Sequence, residues 1–208
     1  MSGRGRPRQF NRQEALRCAM ELFWAKGYGG TSLADLTAAM GINPPSLYAA
    51  FGSKEELFSE AVELYERSEG PEIWEALTTE PTARAAFEAY LRRTAHSFTR
   101  SDKPAGCLIV LGALNGSDAS PEACAVLRRH RAGNLAGLRE RLERGVAEGE
   151  LPAGLDCQAI ASFYATVQQG MSIQARDGAA VGTLLAVAEG AMAAWDRLTA
   201  VPREASPA

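Results

Sequence analysis

Between Thr31 and Phe51 the chain sets out hydroxyls at Thr31, Ser32 and Ser46, an amide at Asn43 and a phenol at Tyr48, with an ammonium close behind at Lys54. Polar groups of this kind hydrogen-bond phosphate oxygens and base edges. Their spacing fits two short helices folded about a glycine turn, a helix-turn-helix, so the chemistry expected of them is recognition of duplex DNA. One other side chain has a chemistry of its own. Cys107 follows Pro104-Ala105-Gly106 and is expected at the first turn of a buried helix, where the dipole would favour a thiolate and lower the pKa. Such a thiol suits a sensor of electrophiles or oxidants; the alternative is a small inert hydrophobe. No spacing gathers metal ligands around Cys107, His96 or His130, so no metal site is expected. Nor does the chain carry a Gly-rich phosphate loop, a G-x-S-x-G elbow or an H-E-x-x-H pair, and neither of its two histidines stands beside a nucleophile in a known motif. The chain does not read as an enzyme.

The elements that must position these groups are legible from caps and periodicity. Ser32 with Asp35 makes an S-x-x-D capping box, Leu33, Leu36 and Met40 form one apolar stripe, and Gly41 supplies the left-handed end. Asn43 followed by Pro44 and Pro45 starts the next helix, which turns Leu47 and Phe51 inward and leaves Ser46, Tyr48 and Ala49 outside. Ser53, three residues before Glu56, starts a further helix at once. Upstream, Leu16, Ala19, Leu22 and Phe23 stripe a support helix over about 11–26 that ends at Gly27.

These residues resemble the TetR family of bacterial transcriptional regulators. The likeness rests on Ala19-x-x-Leu22-Phe23-x-x-x-Gly27-Tyr28-x-x-Thr31-Ser32-Leu33, on Ala39-x-Gly41-Ile42, and on Leu47-Tyr48-x-x-Phe51-x-Ser53-Lys54-Glu55-Glu56-Leu57. It covers roughly residues 10 to 60; beyond them it is carried by analogy of fold. The resemblance implies that Thr31, Ser32, Tyr48 and Lys54 meet phosphates. The base-facing set is then Asn43, Pro44, Pro45, Ser46 and Ala49, which has no Arg, Lys or Gln for bidentate reading. Selectivity is therefore expected from half-site spacing, DNA shape and the basic arm, in which Arg4 and Arg6 could reach a narrow minor groove.

Of 208 residues, 46% are hydrophobic and 23% charged, ordinary for a soluble globular protein with a sizeable core. The net charge of -3 hides an asymmetry, since residues 1–54 carry seven Lys and Arg against three acids and the rest fifteen against twenty-two. A basic end and an acidic body exclude a coat protein that is basic throughout. The first residues lack the apolar run of a secretory signal, no stretch is long enough to span a bilayer, and four cysteines without close spacing suit reduced thiols. A cytoplasmic protein is expected.

The expected architecture is all-α with about nine helices: an N-terminal three-helix helix-turn-helix domain and a C-terminal helical domain for ligand binding and dimerisation. The expected divisions are a flexible basic arm at 1–9, a DNA-binding domain at 10–68 with the helix-turn-helix at 32–51, a ligand-binding and dimerisation domain at 69–201, and a disordered tail at 202–208. Helix four should stop at about Ser68, before Gly70-Pro71. Short elements at 72–77 and 106–114, helices at 82–100 and 121–148, and a last pair at 157–176 and 180–198 complete the reading. Arg128, Arg129, Arg131, Arg139, Arg141 and Arg144 should form a mostly solvated face. Gly170, Gly182 and Gly190 suggest close approach of another helix, within the chain or from a second copy, and the resemblance favours a homodimer. Trp74, Phe87, Tyr90, Phe98, Phe163, Tyr164 and Met171 are possible lining for an effector pocket, or plain core. The function read from all this is a sequence-specific regulator, a repressor by default, released from a palindromic operator by an unidentified small-molecule inducer or by modification of Cys107. No cofactor is implied. The alternative is a nonspecific or architectural DNA-binding protein without an inducer.

Overall fold

Side-chain caps fix where most helices begin. Asn11 accepts from the amides of Gln13 and Glu14, and opens α1 (Arg12–Lys26). Ser32 and Asp35 form the reciprocal capping box of α2 (Leu33–Met40), which Gly41 closes at φ 67°. Asn43 caps α3 (Pro44–Phe51) and Ser53 caps α4 (Lys54–Trp74). Beyond these lie α5 (Ala76–Thr79), α6 (Ala83–Phe98), α7 (Leu108–Leu111), α8 (Pro121–Ala147), α9 (Cys157–Arg176), α10 (Val181–Ala193) and α11 (Trp195–Leu198). The computed structural model describes residues 11–113 and 120–200, all of whose regular elements are helical. Arg4, Arg6 and the tail from 202 lie outside them.

The helices share one apolar core that runs from Ala15 in α1 to Trp195 in α11. At the N-terminal end Phe23 and Phe58 meet edge to face at 5.0 Å, and Trp24 meets Tyr65 at 4.8 Å, so α1 lies along α4. At the far end Phe87, Tyr164 and Trp195 form a second aromatic knot, with Phe87 and Tyr164 at 4.8 Å.

Several boundaries differ from the sequence expectation. Helix α4 does not stop at Ser68 but runs through Pro71 to Trp74 and so crosses the expected division at 68–69. A proline inside a helix removes one amide donor, yet its own carbonyl still accepts, here from Glu75 at 3.1 Å. The last turn is held by burial of Ile73 and by Trp74 against Tyr90 at 5.2 Å. The short elements shrink to α5 and α7, four residues each. After α7, Gly112 gives its carbonyl to the amide of Tyr28 at 2.8 Å instead of continuing a helix. The last expected helix is divided into α10 and α11.

The arginine row on α8 is also corrected. Arg141 is 3% exposed and meets Glu150 at 3.4 Å, Arg131 donates to the Ile109 carbonyl and Arg144 to that of Leu77. A 27-residue helix packed against neighbours on several sides turns half of such a row inward, which composition alone does not reveal.

Candidate nucleic-acid interface

Helix α3 presents its polar side to solvent: Asn43, Pro44, Pro45, Ser46, Tyr48 and Ala49 are all exposed, Tyr48 by 46%. The opposite side is anchored by Leu47 and Phe51, both buried. The Asn43 carbonyl oxygen accepts from the Ser46 amide at 2.9 Å, which leaves its side-chain NH2 uncommitted in that bond. Residues at the N-terminal end of such a helix are those that reach base edges in the major groove.

The groups around α3 are less equivalent than their chemistry suggests. Thr31 is fully buried and donates its hydroxyl to the Gly27 carbonyl at 2.7 Å, so its proton holds the turn after α1. Ser32 is exposed, with its hydroxyl and amide both engaged by Asp35. That carboxyl is held down to about 2, first by the Ser32 amide, then by the Ser32 hydroxyl and Lys26.

Lys54 extends over the ring of Tyr28, 4.1 Å from its centroid, and forms no ion pair among the described residues. Partial burial pushes its pKa down. By contrast Arg12 is tied to Glu60 at 2.6 Å and to the Ala50 carbonyl at 3.2 Å, and Lys26 to Asp35 at 3.1 Å. Of Arg12, Lys26 and Lys54, only Lys54 is thus without an ion pair among the described residues.

Tyr28 links this end to the body. Its hydroxyl donates to Glu55, its ring meets Phe58 edge to face at 5.2 Å, and its amide donates to the Gly112 carbonyl in the turn after α7. Burial and the Glu55 carboxylate raise its phenol to about 12. The sequence reading placed Tyr28 in a motif without giving it a role.

Cys107 immediately precedes α7 and is 5% exposed, with its amide donating to Ser172 Oγ at 2.9 Å. The expected lowering of its pKa is not found. Burial pushes the thiol up, against the opposing pull of the Tyr65 hydroxyl, the Val110 and Ile109 amides and Arg131. A one-turn helix has little dipole to offset full desolvation.

The aromatic set does not gather around one pocket. Phe87, Phe98, Tyr164 and Met171 are core, and Phe163 stands on the outer face of α9 at 37% exposure. Tyr90 lines a tightly packed gap of about 10 Å³ with Trp74, Val110, Arg131, Leu138 and Gln168, and its buried hydroxyl lacks a hydrogen-bond partner among the described residues.

On α9 and α10, Phe163, Ile173 and Val181 are exposed, and a Cβ built on Gly170, Gly182 or Gly190 would meet nothing within 4 Å. Packing within the chain therefore does not explain those glycines. No group of three metal-binding side chains occurs among the described residues, and no described helix is long and apolar enough to cross a membrane.

Residues 15–61 match the model of the bacterial regulatory proteins of the tetR family, and residues 82–186 match the tetracyclin repressor-like C-terminal domain. The HTH-type transcriptional repressor ComR of Escherichia coli is 36% identical over 196 residues, 94% of this chain and 93% of that protein. The repressor BdcR of the same organism is 32% identical over 88% of each chain. A cysteine-substituted form of the TetR family regulator CifR, complexed with 26-base-pair operator DNA, superposes with a TM-score of 0.85 at 48% identity, over 92% of this chain and 100% of that one.

Proposed function

The chain belongs to the TetR family of bacterial regulatory proteins, and on that premise we propose that it is a cytoplasmic repressor that binds a palindromic operator as a homodimer and is released by an effector. The observation that carries the reading is the exposed outer face of α3, capped by Asn43 and backed by buried Leu47 and Phe51. In the reading, Ser32, Tyr48 and Lys54 take phosphates, and Asn43, Pro44, Pro45, Ser46 and Ala49 face bases. Thr31 acts through the turn it holds. A face of this composition gives few base-specific bonds, so half-site spacing and DNA shape carry much of the selectivity. The open apolar faces of α9 and α10 support a homodimer built through them. CifR was complexed with operator DNA in a form with its cysteines replaced, which supports a search for cysteine control here.

Two release routes fit. In one, the Cys107 thiol adds to an electrophile. With N-ethylmaleimide the sulfur bonds one alkene carbon and the thiol proton passes to the other. An adduct inside this buried segment must displace its surroundings, because Cys107 is only 5% exposed. In the other, a small molecule must first open the packing beside Tyr90, where only about 10 Å³ is free, and the buried hydroxyl there would gain a hydrogen bond.

Footprinting on the DNA flanking the gene tests the operator reading: protection of a palindrome is expected, and uniform coverage of any duplex would leave an architectural protein instead. Operator release by N-ethylmaleimide, compared between the wild type and Cys107→Ser, tests the thiol. Release of the wild type alone is expected, and equal release of both ends that route.

A further inference from the structure

The last turn of a helix leaves carbonyls without amide partners, and those of α1 are claimed from far away. Arg176, the final residue of α9, donates Nη2 to the Trp24 carbonyl at 2.7 Å and Nη1 to that of Ala25 at 2.8 Å. Its Nε donates to the Ala105 carbonyl at 2.9 Å, two residues before Cys107. All three guanidinium nitrogens thus close on carbonyls of two separate segments. Arg176 makes no ion pair among the described residues, and its positive charge lies at the negative end of the α1 dipole. One turn earlier on the same helix, Ser172 accepts the Cys107 amide, and Gly106, at φ 76°, lies so close that a Cβ there would sit 2.6 Å from the Ser172 carbonyl oxygen. Trp24 completes the joint by donating Nε1 to the Gly106 carbonyl at 3.0 Å.

We infer that Arg176 is the positioning residue that fixes the DNA-reading end against α9, and thereby sets the distance between the two recognition helices of a dimer. The inference rests on the operator-binding reading above and adds to it a residue that touches no DNA. If copies meet through α9 and α10, as their open faces suggest, α9 is the common reference for both reading ends, and α1 is the support on which each α3 is mounted. A planar fork that bonds two carbonyls of α1 and one of the Cys107 segment resists both sliding and rotation of α1 relative to α9. An ammonium in its place keeps the charge but loses the fork. Because the same guanidinium also holds the Ala105 carbonyl, displacement of the Cys107 segment pulls on the clamp that positions α1.

The test measures spacing discrimination, a ratio within one protein that a general loss of stability leaves unchanged. Operator affinity is measured for the intact palindrome and for one with two base pairs inserted between half-sites, using the wild type, Arg176→Gln and Arg176→Lys. The wild type should lose about 100-fold or more on insertion. Arg176→Gln should lose less than about 10-fold, with Arg176→Lys nearer to Gln than to wild type. A ratio for Arg176→Gln equal to that of the wild type overturns the inference and leaves the operator reading intact. A wild type that ignores spacing sinks the operator reading and this inference with it. Should Arg176→Gln bind neither duplex, hydrogen exchange of the free protein decides: acceleration confined to residues 24–31 supports the clamp, and acceleration throughout the chain refutes it.

Discussion

The reading end and the body of this molecule differ in how many distant hydrogen bonds are added to their local caps. From α1 to the start of α4, each N-terminus is satisfied by a side chain within three residues: Asn11, Ser32, Asn43 and Ser53. In the body Thr82, Ser120 and Asp156 cap α6, α8 and α9 in the same local way, but further bonds cross the molecule. Glu150 takes the Ala83 amide at the start of α6, Arg144 takes the Leu77 carbonyl, and Arg176 takes the end of α1. The difference suggests a division of labour. Local caps shape the helices of both parts, whereas the distant bonds decide where the head is mounted. An effector that perturbs the body can therefore move the heads without unfolding them.

The comparison breaks most readily at the aromatic knot. Phe87→Ala should cost about 4 kcal/mol, read as a lowered urea midpoint, because the ring is fully buried between Tyr164 and Trp195. A cost below about 1 kcal/mol would instead make Phe87 part of an openable pocket. Next in size is Glu150→Ala, at about 3 kcal/mol, since it strands the Arg141 guanidinium, whose Nε and Nη1 already lack partners, and leaves the Ala83 amide unbonded. Replacing Arg141 with Met should be nearly neutral by the same reasoning, and a large loss there would show that the buried pair stabilises the body outright.

Head substitutions are expected to be smaller and to stay local. Ser53→Ala removes the cap on α4 and should cost about 1 kcal/mol, with operator binding weakened more than dimer formation. The smallest effect is a pH effect. Asp35 has its pKa lowered on folding from 3.8 to about 2, so its contribution is fully present above pH 3.8 and is lost as pH falls toward 2. The chemical shifts of α2 should follow that window in the wild type and not in Asp35→Asn, while α10 reports no change.

Much of the reading end was legible because the signals that start and stop a helix lie beside it. A capping Ser or Asn and the amide it satisfies are three residues apart, and Gly41 marks its own left-handed turn. Periodicity likewise picked out Leu36 and Leu47, both fully buried. Where the reading missed, the cause was a partner elsewhere in the chain. Pro71 reads as a stop in the sequence, and the helix runs through it because Trp74 packs against Tyr90. Arg141 looked solvated until Glu150 and the start of α6 closed over it.

Sequence by itself determined the helix-turn-helix, its caps, its exposed face and the all-helical class, since each depends on bonds and periodicities spanning a few residues. The state of the Cys107 thiol, the isolation of the Tyr90 hydroxyl and the capping of α1 by Arg176, 151 and 152 positions away from the carbonyls it holds, were decided by tertiary structure. Desolvation and long-range capping depend on what surrounds a group in space, and a chain specifies that only once all its helices have packed.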